Sequence, residues 1–72
     1  MKKTRMEKAE KKLQATQLRL LAARQRAMAA VYRRQAAHPA YPGQEMICLN
    51  KADEIIALAA QSEAKADLLQ AS

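Results

Sequence analysis

The chain predicts an all-α fold, a two-helix antiparallel hairpin, on three observations. No glycine or proline interrupts residues 1–38. Both prolines, Pro39 and Pro42, and the only glycine, Gly43, then fall together in the stretch HPAYPGQ. The charge also reverses across that stretch. Residues 1–34 carry eleven Lys or Arg and two Glu, a net of +9, whereas residues 35–72 carry two Lys and five acids, a net of −3.

The first helix is expected from Thr4 to about Ala37. Thr4 and Glu7 stand three apart, the spacing of a capping box in which hydroxyl and carboxylate satisfy each other's backbone N–H groups. Glu7 and Glu10 lie near the positive end of the helix dipole. Ala, Leu, Gln, Lys and Arg dominate the remainder of the helix, all good helix formers. His38 precedes a proline, which disfavours helical geometry there and stops the helix. Arg33, Arg34 and His38 then sit at the negative end, where cations are favoured.

Two rows run along this helix. Met6, Ala9, Leu13, Thr16, Leu20, Ala23, Ala27 and Ala30 recur at alternating spacings of three and four, a heptad seam, and Leu21, Met28 and Val31 widen it toward the C-terminal half. Small alanines in such a seam let another helix approach closely. Beside it Arg5, Lys12, Arg19, Arg26 and Arg33 repeat every seven residues as a basic row, and no acid occurs between Glu10 and Glu45.

His38 to Gln44 is a turn, because Pro and Gly both break helices. A connection this short joins neighbouring antiparallel helices, and Tyr32 and Tyr41 are expected to pack across it. The second helix is expected over about 45–70. Met46, Cys48, Leu49, Ala52, Ile55, Ile56, Ala59, Ala66 and Leu69 give it a broad apolar face. Asn50 and Asp53 offer an alternative fresh start, but one helix with an irregularity at Asn50 is the preferred reading.

Seventy-two residues form a single domain, 1–72, with a marginal core, and the chain has no Phe and no Trp. Assembly into a dimer or docking on a partner is therefore expected to supply the missing burial. One cysteine permits no internal disulfide. The longest apolar run, Ile55 to Ala60, is far short of the roughly 20 residues of a membrane span. The Arg-rich stretch from Lys11 to Arg34 has the composition of a transit peptide, yet it comes after a capped, Glu-bearing first turn; a cytoplasmic location is the expectation.

Catalytic equipment is missing. His38 is the only histidine and sits beside a proline. Cys48 lies on an apolar face with no histidine near it in sequence, which suits a buried thiol rather than a nucleophile. One Cys, one His and scattered carboxylates do not make a zinc site, and a single glycine makes no phosphate loop. Met6, Met28 and Met46 suit packing. No enzyme activity, metal or cofactor is expected. A membrane-surface role is disfavoured, because the apolar face lacks Trp and Phe.

Two function classes remain. The first is an adaptor that assembles with itself or another helical protein, using Leu13, Leu20, Ala23, Ala27, Ile55, Ile56 and Ala59. The second is a nucleic-acid-binding module that sets Arg5, Lys12, Arg19, Arg26 and Arg33 against phosphates of structured RNA or duplex backbone. The acids of the second helix discriminate between them. If Asp53, Glu63 and Asp67 line the basic row, the row is neutralised within the hairpin.

Overall fold

A computed structural model describes the backbone of residues 2–71 and the side chains of residues 7–71. Two helices make up the fold, α1 (Lys2–Ala37) and α2 (Gln44–Ala71), and they pack against each other as a hairpin. Its Cα atoms span 61 × 13 × 11 Å. α1 starts two residues before the expected Thr4, and the capping box involves a side chain, Thr4, that lies outside the described residues. α2 runs unbroken through Asn50, so no irregularity or fresh start occurs there.

The turn reflects its residue types. Gln44 N–H donates to the Tyr41 carbonyl at 3.2 Å, closing a four-residue turn with Pro42 and Gly43 at its centre. Gly43 has φ +92°. Proline second and a positive-φ glycine third is the signature of a type II turn. The Gly43 carbonyl then accepts from Ile47 N–H at 3.3 Å, starting α2. The Gln44 side-chain oxygen accepts from Ala40 N–H, and His38 N–H tightens the end of α1 by donating to Gln35 O at 3.2 Å. Tyr32 packs on the core of Ala29, Ala52 and Ile55 rather than across the turn, and Tyr41 is exposed.

A Cβ built on Gly43 meets nothing within 4 Å, so a substitution there strains only the backbone. Gly43→Ala should cost about 1–2 kcal/mol, the penalty of left-handed backbone for an L-residue. That corresponds to a melting temperature lower by roughly 4–8 °C per kcal/mol at this chain length. Thermal circular dichroism checks it, and D-alanine at position 43 of a synthetic chain should remove the loss.

The core is a seam of small residues. Ala15, Ala22, Ala29 and Ala36 are buried on α1, seven residues apart, and Cys48, Ala52, Ile55, Ala59, Ser62 and Ala66 are buried on α2. Between the α1 alanines stand Leu18, Gln25 and Tyr32, half-buried. The combined spacing alternates three and four on both helices, which keeps the contact line straight along a pair of supercoiling helices. Alanine at one of the two seam positions lets the backbones come close, so contact is gained by proximity rather than by large side chains.

This seam is not the row expected on α1. Leu13 and Leu20 are 59% and 57% exposed, and Ala9, Thr16, Ala23, Ala27 and Ala30 are exposed as well; the side chain of Met6 lies outside the described residues. The true row is displaced by two positions from Leu13 and Leu20. Two residues rotate about 200° around a helix, so those leucines lie on the back of α1. The reason is the partner. α2 offers Ala52, Ala59 and Ala66 at the same seven-residue repeat, and the row of Ala15, Ala22, Ala29 and Ala36 can approach such a surface closely along its length. On α2, Ile55 and Ala59 do face α1, and Ile56 is half-buried beside them.

Candidate interaction surfaces

The seam divides the outside of the hairpin into two broad faces and two backs. In a heptad frame with Ala15, Ala22, Ala29 and Ala36 at one seam position, the basic row flanks the seam on one side. Leu21 and Met28 flank it on the other. The corresponding flanks of α2 are Leu49, Ile56, Glu63 and Gln70 on the first side, and Lys51, Leu58 and Lys65 on the second. Antiparallel helices set like flanks together, and the polar contacts of the hairpin agree.

Those contacts lie on the charged face. Arg19 donates through both terminal nitrogens to Asp67 Oδ1, at 3.3 and 3.1 Å, and also to the Gln70 side-chain oxygen. Arg26 forms an ion pair with Glu63. Two members of the basic row are thus engaged by α2. Lys12 and Arg33 form no ion pair among the described residues, and the side chain of Arg5 lies outside them. Of the three acids that discriminate between the two readings, Glu63 and Asp67 line the row; Asp53 makes no ion pair among the described residues. The pairs are solvated, with Arg19 and Asp67 side chains 40% and 72% exposed, and pairs of that kind contribute about 0–1 kcal/mol each. Their effect is on charge: they place carboxylates against the guanidinium groups that a polyanion would need.

Inside the seam the polar groups are satisfied. Ser62 Oγ stands 3.1 Å from Leu58 O and 3.2 Å from the Gln25 side-chain carbonyl, and its proton serves either. The Cys48 thiol is buried and donates to Gln35 Oε1 at 3.8 Å, as expected of a structural cysteine. No buried side-chain nitrogen or oxygen lacks a partner among the described residues.

The opposite face mixes exposed apolar side chains with charged ones. Leu21, Met28 and Val31 of α1 and Leu58 of α2 project from it, each between about two-fifths and three-fifths exposed. A shallow groove beside them is lined by Arg24, Ala27, Met28, Val31, Tyr32 and Gln35. Leu58 is the member that the sequence pattern did not single out. The signal was there in the seven-residue repeat of Ala52, Ala59 and Ala66: with those in the seam, Leu58 must flank it.

A cleft at the open end of the hairpin is lined by Lys8, Lys11, Lys12, Leu69, Gln70 and Ala71, with no hydroxyl, thiol or imidazole among them. No group of three or more His, Cys, Asp or Glu is placed to hold a metal among the described residues, and none of their helices is long and apolar enough to cross a membrane. Comparison with protein-family models, with curated proteins and with solved structures finds no match.

Proposed function

We propose that this chain is a non-enzymatic helical module that assembles with itself or with another helical protein. One observation carries the reading: the large apolar side chains point outward. The buried set is alanine with one isoleucine, one cysteine and one serine, while Leu13, Leu20, Leu21, Met28, Val31 and Leu58 all stand exposed. A fold that fills its seam mainly with alanine and leaves this many large apolar side chains exposed is suited to be half of a larger core.

The competing reading is a nucleic-acid-binding module that uses Lys12, Arg19, Arg26 and Arg33. The net charge of +6 favours it, and the engagement of Arg19 and Arg26 by Asp67 and Glu63 disfavours it. A salt series separates the two. The expected result is a mass above 8.0 kDa by light scattering at micromolar concentration, with RNA and duplex-DNA binding lost by physiological salt. Retention of binding at that salt, weakened by Lys12→Glu with Arg33→Glu and by a steep salt slope, would favour the nucleic-acid reading instead.

A further inference from the structure

The face on which Leu21, Met28, Val31 and Leu58 stand exposed has no cover within the hairpin, and the chain's excess surface and the levels of these side chains point to one occupant. We propose that a second copy of this chain docks on it, face to face and antiparallel, to make a four-helix bundle. The inference rests on the assembly reading and names its partner and surface.

Area comes first. The chain exposes 5827 Å². A compact monomer of 8.0 kDa exposes about 4,450 Å² by the scaling of folded surfaces with mass. The excess is roughly 1,400 Å² per chain, within the range that obligate dimers bury on each partner. The Cα radius of gyration of 17.0 Å is likewise well above the roughly 11 Å of a compact chain of this length. One further two-helix layer is the size of cover that this excess matches.

The levels along the face suit a two-fold axis. The contacts Gln25–Ser62 and Gln35–Cys48 set the register of the hairpin, and they place Met28 level with Leu58. At a rise of about 1.5 Å per residue, Leu68 and Ile47 lie about 15 Å from Leu58 on either side of it. Both are exposed. A two-fold axis running across the helices at the level of Leu58 therefore sets Leu58 on its own copy. The same axis sets Met28 on its copy and Ile47 beside Leu68 of the second chain.

The charges around Leu58 are compatible with this orientation. Lys51 and Lys65 flank Leu58 on the face, and Glu54 pairs with Lys51 at 3.8 Å. With α2 on α2 of the second copy, Lys65 of that copy arrives level with Lys51, and Glu54 stands beside both ammonium groups to offset their repulsion. The alternative two-fold, along the helices, stacks α1 on α2 of the copy. It would set Lys65 against Leu21 and Lys51 against Gln35, and α1 has no acid between Glu10 and its end to receive them. The opposite broad face is the poorer site for a copy, because the Arg19–Asp67 and Arg26–Glu63 pairs occupy it.

Cysteine crosslinking tests the proposal without disturbing the fold. In a Cys48→Ala background, Leu58→Cys should oxidise to a disulfide-linked dimer, because the axis brings position 58 against itself. Leu20→Cys, on the back of α1, should not. Sedimentation equilibrium should give twice the 8.0 kDa chain mass for the wild type and for Leu20→Glu, and the mass of one chain for Leu58→Glu. A wild type that assembles while Leu58→Cys fails to crosslink and Leu58→Glu keeps the full mass would overturn the face and leave the assembly reading standing. A folded wild-type monomer at hundreds of micromolar would overturn self-docking outright and leave the face to a different helical protein.

Discussion

Ala22→Leu is expected to destabilise the hairpin by about 1–3 kcal/mol, the cost of forcing extra methylenes into a packed contact, whereas Ala23→Leu should change stability by less than about 0.5 kcal/mol. The two positions are adjacent and chemically identical. Ala22 is 0% exposed against α2, and Ala23 is exposed. A leucine at 22 must either push α2 away, losing contact at Ala15 and Ala29 together, or take up a strained rotamer. Neither route relaxes easily, because backbones held close by alanine leave little room for a longer side chain. Thermal unfolding followed at one fixed protein concentration reads the difference; the concentration is held because any self-association would shift apparent stability. A greater loss at Ala23 than at Ala22 would mean that the outer row, not the alanine row, holds the hairpin.

The second large effect is expected at Ile55. It is the largest side chain in the buried set, 6% exposed, and packs with Ala29 and Ala52 while Tyr32 and Ile56 close over it. Ile55→Ala should cost about 2–5 kcal/mol, the transfer of the lost methylenes plus the cavity left behind. Two rigid helices cannot collapse into that space at one point without tilting along their whole length. For a hairpin with so little apolar volume inside, a loss of this size is a large part of the total. Urea titration should show a lower midpoint, and Met46→Ala, exposed on the same helix, should leave the midpoint unchanged. An Ile55→Ala variant as stable as the wild type would show that the alanine contacts alone hold the pair.

Much of this architecture was legible in the chain. The run without Gly or Pro, the cluster at Pro39, Pro42 and Gly43, and the opposed charges of the two halves led to two helices and a short antiparallel turn, and the structure has them. Boundaries moved by one or two residues, as helix ends do. The candidate surfaces were legible only in part. The basic row was identified by its seven-residue spacing, but its partners were not, since nothing local says which side of α1 the carboxylates of α2 will face. Leu58 was missed because its role depends on which face of α2 is consumed by the seam.

What the sequence by itself determined, then, is the helices, the turn and the charge polarity. Each arises from local rules: propensity, proline and glycine geometry, and the sign of neighbouring side chains. The tertiary structure decided which heptad of α1 is the inner one. An alanine-rich helix satisfies more than one heptad, and the rows through Leu20 and through Ala22 are both apolar enough to qualify. Hydrophobicity ranks the leucine row first, and close approach ranks the alanine row first. The choice was made by α2, whose Ala52, Ala59 and Ala66 favour a partner that can come near along its entire length. Leu13, Leu20 and Leu21 were left outside, and Arg19 and Arg26 were brought to the carboxylates of α2.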